Sequence, residues 1–382
     1  MNKVVKSAAL LLAALSLTAC FGGQSKTDKD GNTVAVSNGV EVTIKEGAYI
    51  MPRDEDSDSN YLALKVSVKN TSGKKLSVST SDFSLYDSED EKIDALSVYD
   101  SDDKFKTFGY EQVSKGKTVT GYVVYEVDKD AKYELHYVPM EYDAKKKEKD
   151  IELKVDASKY QDNQDKVKGL AEDYIKQVFL TAGSSTDGEK VSFQGGQVEV
   201  SSLADKKSDK KSEKADGDKF EIGNDIEKDR KDFHKAFTTA LNDDFYSYTP
   251  SNDELNGFVD KYVAANAKRA KIDYEVESYL PDSMTLKIKA DVIDLGMFSV
   301  SNYRSAYYDT NRDKHGSLSD TYKAGEKDYL DNAQKVLEAA DLSSSSYNDY
   351  TIKLTRKGNK WTVDTSDYSY ESLQRVFRGG IY

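Results

Sequence analysis

Tyr61-Leu62-Ala63-Leu64-Lys65-Val66-Ser67-Val68-Lys69-Asn70 is the stretch from which the first half of the chain can be read. Leu62, Leu64, Val66 and Val68 share one side of a two-residue period, and Ala63, Lys65, Ser67 and Lys69 share the other. Successive side chains of a strand point to opposite faces, so this alternation predicts an antiparallel strand in a sheet wet on one side. Asn70-Thr71-Ser72-Gly73 then supplies turn chemistry, and Leu76-Ser77-Val78-Ser79 begins the return. A second long strand is predicted over Lys117–Val127, with Val119, Val123, Tyr125 and Val127 on one face and Gly121 where a bulge or close approach fits. Shorter runs at Val40–Ile44, Phe83–Tyr86 and Tyr133–Tyr137 bring the strands to six without a convincing helix. The spacing predicts an all-β sandwich over residues 33–156.

Past the charged stretch Ala144–Asp150 and one last strand, the period changes to 3.6. Val167, Leu170, Ala171, Tyr174, Ile175, Val178 and Phe179 make one apolar helical stripe. Ile226, Phe233, Phe237 and Leu241 mark a second helix. A third begins at Ser251, where Ser251 and Glu254 can form a capping box ahead of Leu255, Phe258, Val259, Tyr262 and Val263. A fourth is predicted from Leu318 to Ala340. Strands come in pairs, Lys271–Tyr279 with Met284–Ile293 and Asp349–Arg356 with Lys360–Asp364, the second pair turning at Lys357-Gly358-Asn359. Helices grouped against antiparallel strands predict an α+β domain over residues 160–382, with Trp361 as a core anchor. Between about residues 183 and 223 the mixed-charge run Lys206–Lys214 predicts a disordered insertion.

Upstream of the sandwich, Lys3 and Lys6 precede the uncharged run Ala8–Ala19. Twelve residues are too few to span a bilayer, which takes about 20, and the run fits the apolar core of an export signal. It ends in Leu17-Thr18-Ala19-Cys20, which resembles the lipobox of bacterial lipoproteins. By that resemblance residues 1–19 are a signal peptide cut between Ala19 and Cys20, and Cys20 carries a thioether-linked diacylglycerol with palmitate-type chains. Residues 20–32 lack periodicity and read as a flexible tether with a reach of about 20 Å.

The 382 residues suggest two domains, and the formal charge of −13 argues against nucleic acid as a partner, because phosphate would repel the chain. A single Cys allows no intrachain disulfide and no Cys-rich metal site.

Leu64–Ser72, Asp82–Asp87, and Gly116 with Gly121–Val127 together resemble the immunoglobulin-like domain of unknown function of Gram-positive surface lipoproteins. Residues 171–179 and the Gly358-x-x-Trp361 strand resemble the α+β domain of unknown function that follows it in the same lipoproteins. The order of helices on a curved sheet is also similar to cystatin-like or nuclear-transport-factor-like folds. These resemblances imply a fold and a location on the outer face of the cell membrane, held by the lipid anchor. They imply no catalytic residue.

The residues themselves offer little chemistry. His136 falls in a strand, His234 on a helix and His315 in a polar loop, and no Gly-x-Ser-x-Gly, His-Glu-x-x-His or phosphate-loop pattern occurs. Asp309, Asn311, Asp313 and Asp320 stand at relative positions 1, 3, 5 and 12 of a calcium loop, but Lys314 occupies the glycine position. Asp54, Asp56, Asp58 and Asn60 fail in the same way. Several of the 27 Tyr, among them Tyr99, Tyr110, Tyr246, Tyr248, Tyr307 and Tyr308, are interleaved with polar residues, as contact surfaces often are. The expectation is a non-enzymatic surface lipoprotein without a cofactor or metal, binding or scaffolding an envelope protein or a small ligand. The alternative is an envelope hydrolase or transferase with a site in the second domain.

Overall fold

The computed structural model describes residues 26–29, 32–37, 39–100, 104–139, 150–182, 190–194, 197–201, 220–343 and 350–381. The described residues of Met1–Gly47, Ala63–Ser97 and Thr107–Lys159 form one compact unit, and those of Ala48–Leu62, Val98–Lys106 and Tyr160–Tyr382 form a second. The first unit is rich in β-sheet, and the second combines helices with a sheet.

In chain order the strands carrying the first unit are β1 (Lys26–Thr27), β2 (Thr33–Ser37), β3 (Val40–Ile50), β4 (Tyr61–Asn70), β5 (Leu76–Val78), β6 (Phe83–Tyr86), β7 (Lys92–Asp94), β8 (Glu111–Val113), β9 (Thr118–Glu126), β10 (Lys132–Tyr137) and β11 (Ile151–Asp156). They form a five-stranded sheet in the order β1-β2-β3-β4-β9, a four-stranded sheet in the order β11-β10-β6-β7, and the pair β5-β8. In the second sheet Leu85, Leu135 and Leu153 lie opposite one another across three antiparallel strands, and all three are buried. This row is the cross-strand packing that makes a sheet face a core.

β4 departs from the one-face expectation, because Ala63 and Ser67 are buried as well. The strand has neighbours on both sides, β3 and β9, and a linked row crosses its other face. Lys65 donates to Glu46 at 2.7 Å and lies 5.4 Å from the centre of the Tyr122 ring, while the Tyr122 hydroxyl donates to Glu46 at 3.3 Å. Long side chains on neighbouring strands can cover small ones. The turn after β4 is held as its chemistry predicts: buried Asn70 donates to the carbonyls of Lys74 and Val113 and accepts from the Ser72 amide and hydroxyl.

The expected tether is shorter than residues 20–32. Lys26 and Thr27 pair antiparallel with Val34 and Thr33, and the connecting turn is closed by the Asp28 carboxylate, which accepts from the Asn32 amide at 2.8 Å and its side chain at 2.9 Å. An Asx-type turn needs no apolar periodicity, so the pattern hid it.

Gly121 is the close approach expected in β9. A Cβ built there meets the Phe108 ring at 3.0 Å and its backbone nitrogen at 3.1 Å, and Phe108 is itself stacked on Phe83 with ring centres 5.0 Å apart. Gly121→Ala is therefore expected to destabilise the protein by about 1–3 kcal/mol through overpacking. Urea denaturation checks this, and an unchanged midpoint would show that Phe108 moves aside freely.

The second unit contains α1 (Gln164–Phe179), β12 (Lys190–Gln194), β13 (Gln197–Ser201), β14 (Glu221–Ile222), α2 (Ile226–Asp243), α3 (Asn252–Arg269), β15 (Lys271–Leu280), β16 (Ser283–Asp291), α4 (Val300–Asn311), α5 (Leu318–Asp331), α6 (Ala333–Ala339), β17 (Tyr350–Lys357), β18 (Lys360–Val363) and α7 (Tyr368–Phe377). Its main sheet runs β14-β18-β17-β16-β15, with β14 parallel to β18 and the other pairs antiparallel. One face buries Met284, Leu286, Ile288, Ile352, Leu354, Val363 and Trp361, which is the expected core anchor. Phe179, Phe233, Phe237, Tyr370 and Phe377 build an aromatic core among the helices.

Two expectations are corrected here. The span predicted as one helix over Leu318–Ala340 is two, α5 and α6, broken at Asn332, and α4 and α7 were not foreseen. The stretch predicted as a disordered insertion contains the antiparallel pair β12 and β13 and the short strand β14. The lysine-rich run Lys206–Lys214 lies outside the described residues, as do residues 145–149.

Polar contacts fix the helix ends. The Ser251–Glu254 capping box forms as predicted, and the Glu254 carboxylate also accepts from the Tyr248 hydroxyl at 2.7 Å. These donors, the Ser251 amide foremost, hold its pKa down at about 2. Glu326 of α5 is fully buried and accepts from the amides of Tyr246, Ser247 and Tyr248 at 3.4, 2.8 and 2.7 Å and from Arg304 of α4 at 2.7 Å. One carboxylate thus binds the α2–α3 connection to two helices.

Candidate ligand-binding site

On the face of the main sheet opposite its apolar core, the outward residues of β15, β16 and β17 are polar. Asp273, Glu275 and Ser278 of β15 face Lys289, Lys287 and Thr285 of β16, and Lys287 and Thr285 in turn face Thr351 and Lys353 of β17. Opposite charges on neighbouring strands stabilise such a surface by a few tenths of a kcal/mol per pair, about 0.2–1 kcal/mol.

The register breaks once, between Val276 and Ser278. Glu277 is the extra residue of this bulge. A bulge sets two residues of one strand against one of its partner and can re-aim a side chain. Here it puts both Glu277 and Ser278 beside Thr285, on the polar side, while Tyr279 returns to the buried side opposite Met284.

Tyr279 also anchors a loop. Its amide donates to the Met51 carbonyl at 2.7 Å, and its carbonyl accepts from the Met51 amide at 2.8 Å. The pairing is antiparallel, so two residues onward Arg53 comes level with Glu277, and the two meet at 3.2 Å. Glu277 is 20% exposed and Arg53 54%, so the pair sits at a rim and contributes little to stability.

Between these groups is a cavity of about 330 Å³. Its floor is Ser278, Ser283, Thr285, Thr351 and Lys353. Arg53 and Glu277 stand at one side, Tyr99 and Asp100 at another, and Leu280 and Asp367 complete the wall. The Asp100 carboxylate accepts from the amides of Lys104 and Phe105 at 2.9 and 2.8 Å, and Asp367 caps α7 by accepting from Ser369 at 2.7 Å. The lining therefore presents hydroxyls, fixed carboxylates and two cations on a rigid sheet, which suits polar recognition.

Of the residues singled out from sequence, Tyr99 lines this cavity and the others lie elsewhere. Ala19 and Cys20 fall outside the described residues. Asp309, Asn311, Asp313 and Asp320 do not form a twelve-residue loop. Asp309 and Asn311 belong to α4, Asp313 to a 3₁₀ turn and Asp320 to the first turn of α5, where its carboxylate accepts from the Ser317 hydroxyl at 2.7 Å. Of the four oxygens in the loop reading, that of Asp320 is taken up in the helix cap and that of Asn311 accepts from Lys314. Among the described residues no three His, Cys, Asp or Glu side chains converge as a metal site. In the Asp54–Asn60 stretch, Asp56 accepts from the Asp58 amide, making a local turn just after Arg53.

None of the three histidines lines the cavity. His136 packs at a tilt against Tyr86 with ring centres 4.5 Å apart, His315 lies 3.4 Å from the Tyr307 hydroxyl, and His234 of α2 lies 3.1 Å from Asp260 of α3. Burial lowers the His234 pKa, and Asp260 opposes that shift. Of the interleaved tyrosines, Tyr99, Tyr110 and Tyr246 are exposed, whereas Tyr248, Tyr307 and Tyr308 are half-buried.

Apart from Tyr99, the lining residues carry no sequence signal of their own, because hydroxyls and a lone arginine make no motif. One signal was present: the apolar alternation Ile272, Tyr274, Val276 slips by one residue before Tyr279, which marks the bulge.

Residues 23–149 match a family described as a domain of unknown function, DUF4352, and residues 197–378 match a second, DUF5105. The chain is 24% identical over 379 residues to the uncharacterized lipoprotein YcdA of Bacillus subtilis, covering 96% of each chain. The crystal structure of YcdA shares the fold, with a TM-score of 0.55 and 22% identity over 92% of this chain and 98% of that one. No described helix is long and apolar enough to cross a membrane. With both domains of unknown function matched in order, the chain is similar over nearly its whole length to an uncharacterized lipoprotein of a Gram-positive bacterium.

Proposed function

We propose that this protein is a non-enzymatic binding lipoprotein of the cell surface, tethered through Cys20, whose second unit holds a ligand in the cavity beside the Arg53–Glu277 pair. The cavity is the observation that carries the binding role. Leu17-Thr18-Ala19-Cys20, together with the similarity to a lipoprotein, supports the address. Two acyl chains on one cysteine suit a lasting tether, since a single chain gives only marginal membrane binding.

The paired sheets of the first unit support an immunoglobulin-like reading. Helices on one face of a mostly antiparallel sheet support a cystatin-like or nuclear-transport-factor-like one for the second. All three carboxylates at the cavity already serve a partner: Glu277 meets Arg53, and Asp100 and Asp367 accept backbone amides. General acid–base chemistry needs a carboxyl group poised to move a proton, so binding fits this arrangement better than hydrolysis or group transfer.

Metabolic labelling with palmitate tests the tether. The wild-type chain should take up label and enter the membrane fraction, and Cys20→Ala should do neither. Equal labelling of the two would refute acylation at this position.

A further inference from the structure

We propose that the cavity takes a neutral, polyhydroxylated ring, a sugar residue of an envelope glycan; this rests on reading the cavity as the binding site. Four hydroxyls decide the ligand class. Ser278, Ser283, Thr285 and Thr351 line the cavity from three adjacent strands, and none has a side-chain hydrogen-bond partner among the described residues. A hydroxyl both donates and accepts, and so does each hydroxyl of a sugar. Polar groups left unpaired on a rigid floor are complementary to a ligand that brings as many donors as acceptors.

Charge argues against a simple ion. The cavity carries two cations, Arg53 and Lys353, and three carboxylates, Glu277, Asp100 and Asp367. Glu277 is paired with Arg53, Lys353 has an interaction of its own, and Asp100 and Asp367 are held by amide hydrogens, so charges of both signs are interspersed in the lining and neither sign dominates it. An ion entering here would shed its hydration among groups of both signs, whereas a neutral ligand loses far less on leaving water.

The Arg53–Glu277 pair still suits a diol. Glu277 can accept from one hydroxyl while the guanidinium, with five N–H groups and a single contact to Glu277, donates to its neighbour. The ring of Tyr99, 85% exposed, supplies apolar surface for the C–H face of a sugar. A volume of about 330 Å³ is at the lower end for ligand pockets, which suits one or two rings rather than a long chain.

Titration of the full chain, in micelles of a detergent without a sugar headgroup, tests this. The probes are glucose, N-acetylglucosamine and its β-1,4-linked dimer, set against glutamate and inorganic phosphate, with binding followed by calorimetry. At least one sugar should bind, and neither ionic probe should. Thr285→Val and Thr351→Val preserve shape and remove one hydroxyl each, and should each weaken sugar binding about five- to tenfold. Thr351→Ser should restore most of the affinity, and melting temperatures measured in parallel should hold, because valine is favoured in strands.

Binding of glutamate or phosphate alone, weakened by Glu277→Gln or Arg53→Gln, would overturn the sugar assignment and leave the cavity as a binding site. Sugar binding unaffected by both valine variants would place the sugar elsewhere and overturn the proposal. No binding by any probe would overturn both readings.

Discussion

Glu326→Ala is expected to cost the protein about 3–5 kcal/mol, which for a unit of this size is a fall in melting temperature of about 6–20 °C. The Glu326 carboxylate is wholly buried, and it is the shared acceptor of three amides in the α2–α3 connection and of the Arg304 guanidinium. Removing it leaves a mostly buried cation and three part-buried amides without their shared acceptor. The rings of Tyr322 and Tyr246, 5.0 and 5.9 Å from the guanidinium, stabilise the charge only in part. Glu326→Gln keeps one acceptor oxygen but loses the charge and turns the other acceptor into a donor, and should fall between alanine and wild type. Calorimetry reads the size of the effect, and hydrogen exchange should show opening at Tyr246–Tyr248 first. A loss below about 1 kcal/mol for the alanine variant would mean that Arg304 and these amides find other partners.

Phe179→Ala is the second large effect, again about 3–5 kcal/mol. Phe179 is fully buried at the end of α1, stacked at 10° on Phe377 of α7 with centres 4.7 Å apart and edge-on to Phe233 of α2 at 4.9 Å. It therefore joins three helices that are far apart in sequence. Deleting the ring removes apolar burial and leaves a cavity that those helices cannot close without losing their other contacts. Phe179→Leu should recover more than half of the loss. Amide exchange should speed up in α1, α2 and α7 together, and acceleration confined to α1 would contradict a shared core. Equal stability of the leucine and alanine variants would show that the site collapses around either residue.

These two residues show what could be read in advance. Phe179 belongs to a stripe with helical spacing, and the stripe alone placed it inside. Glu326 does not: an acidic residue in a helix reads as exposed, and only the folded chain brings the Tyr246–Tyr248 amides to it. The same division runs through the elements. α3 was legible because Ser251 and Glu254 mark its start and five apolar residues mark its face. α4 was not, since Val300 is its only buried residue and tyrosines supply much of its packing, with Tyr303 5.4 Å from Tyr329 and donating to Asp328. Tyrosine serves rims and cores alike, so its spacing does not declare a buried face.

The pair β12 and β13 was masked by its surroundings. Val191 and Phe193, then Val198 and Val200, alternate on either side of Gly195-Gly196. A neighbouring lysine-rich run outweighed that signal. The cavity was the least legible part, because its groups come from near residues 53, 99, 277, 284, 352 and 367 and converge only through pairing. A residue slip in β15 and a loop hydrogen-bonded to Tyr279 create the site, and neither leaves a motif.

The mass of the native N-terminus is the most direct test of the proposed function. Protein isolated from the membrane fraction should begin at Cys20, with that residue heavier by a thioether-linked diacylglycerol, and residues 1–19 should be absent. A soluble cytoplasmic chain that still begins at Met1 with an unmodified Cys20 would contradict it.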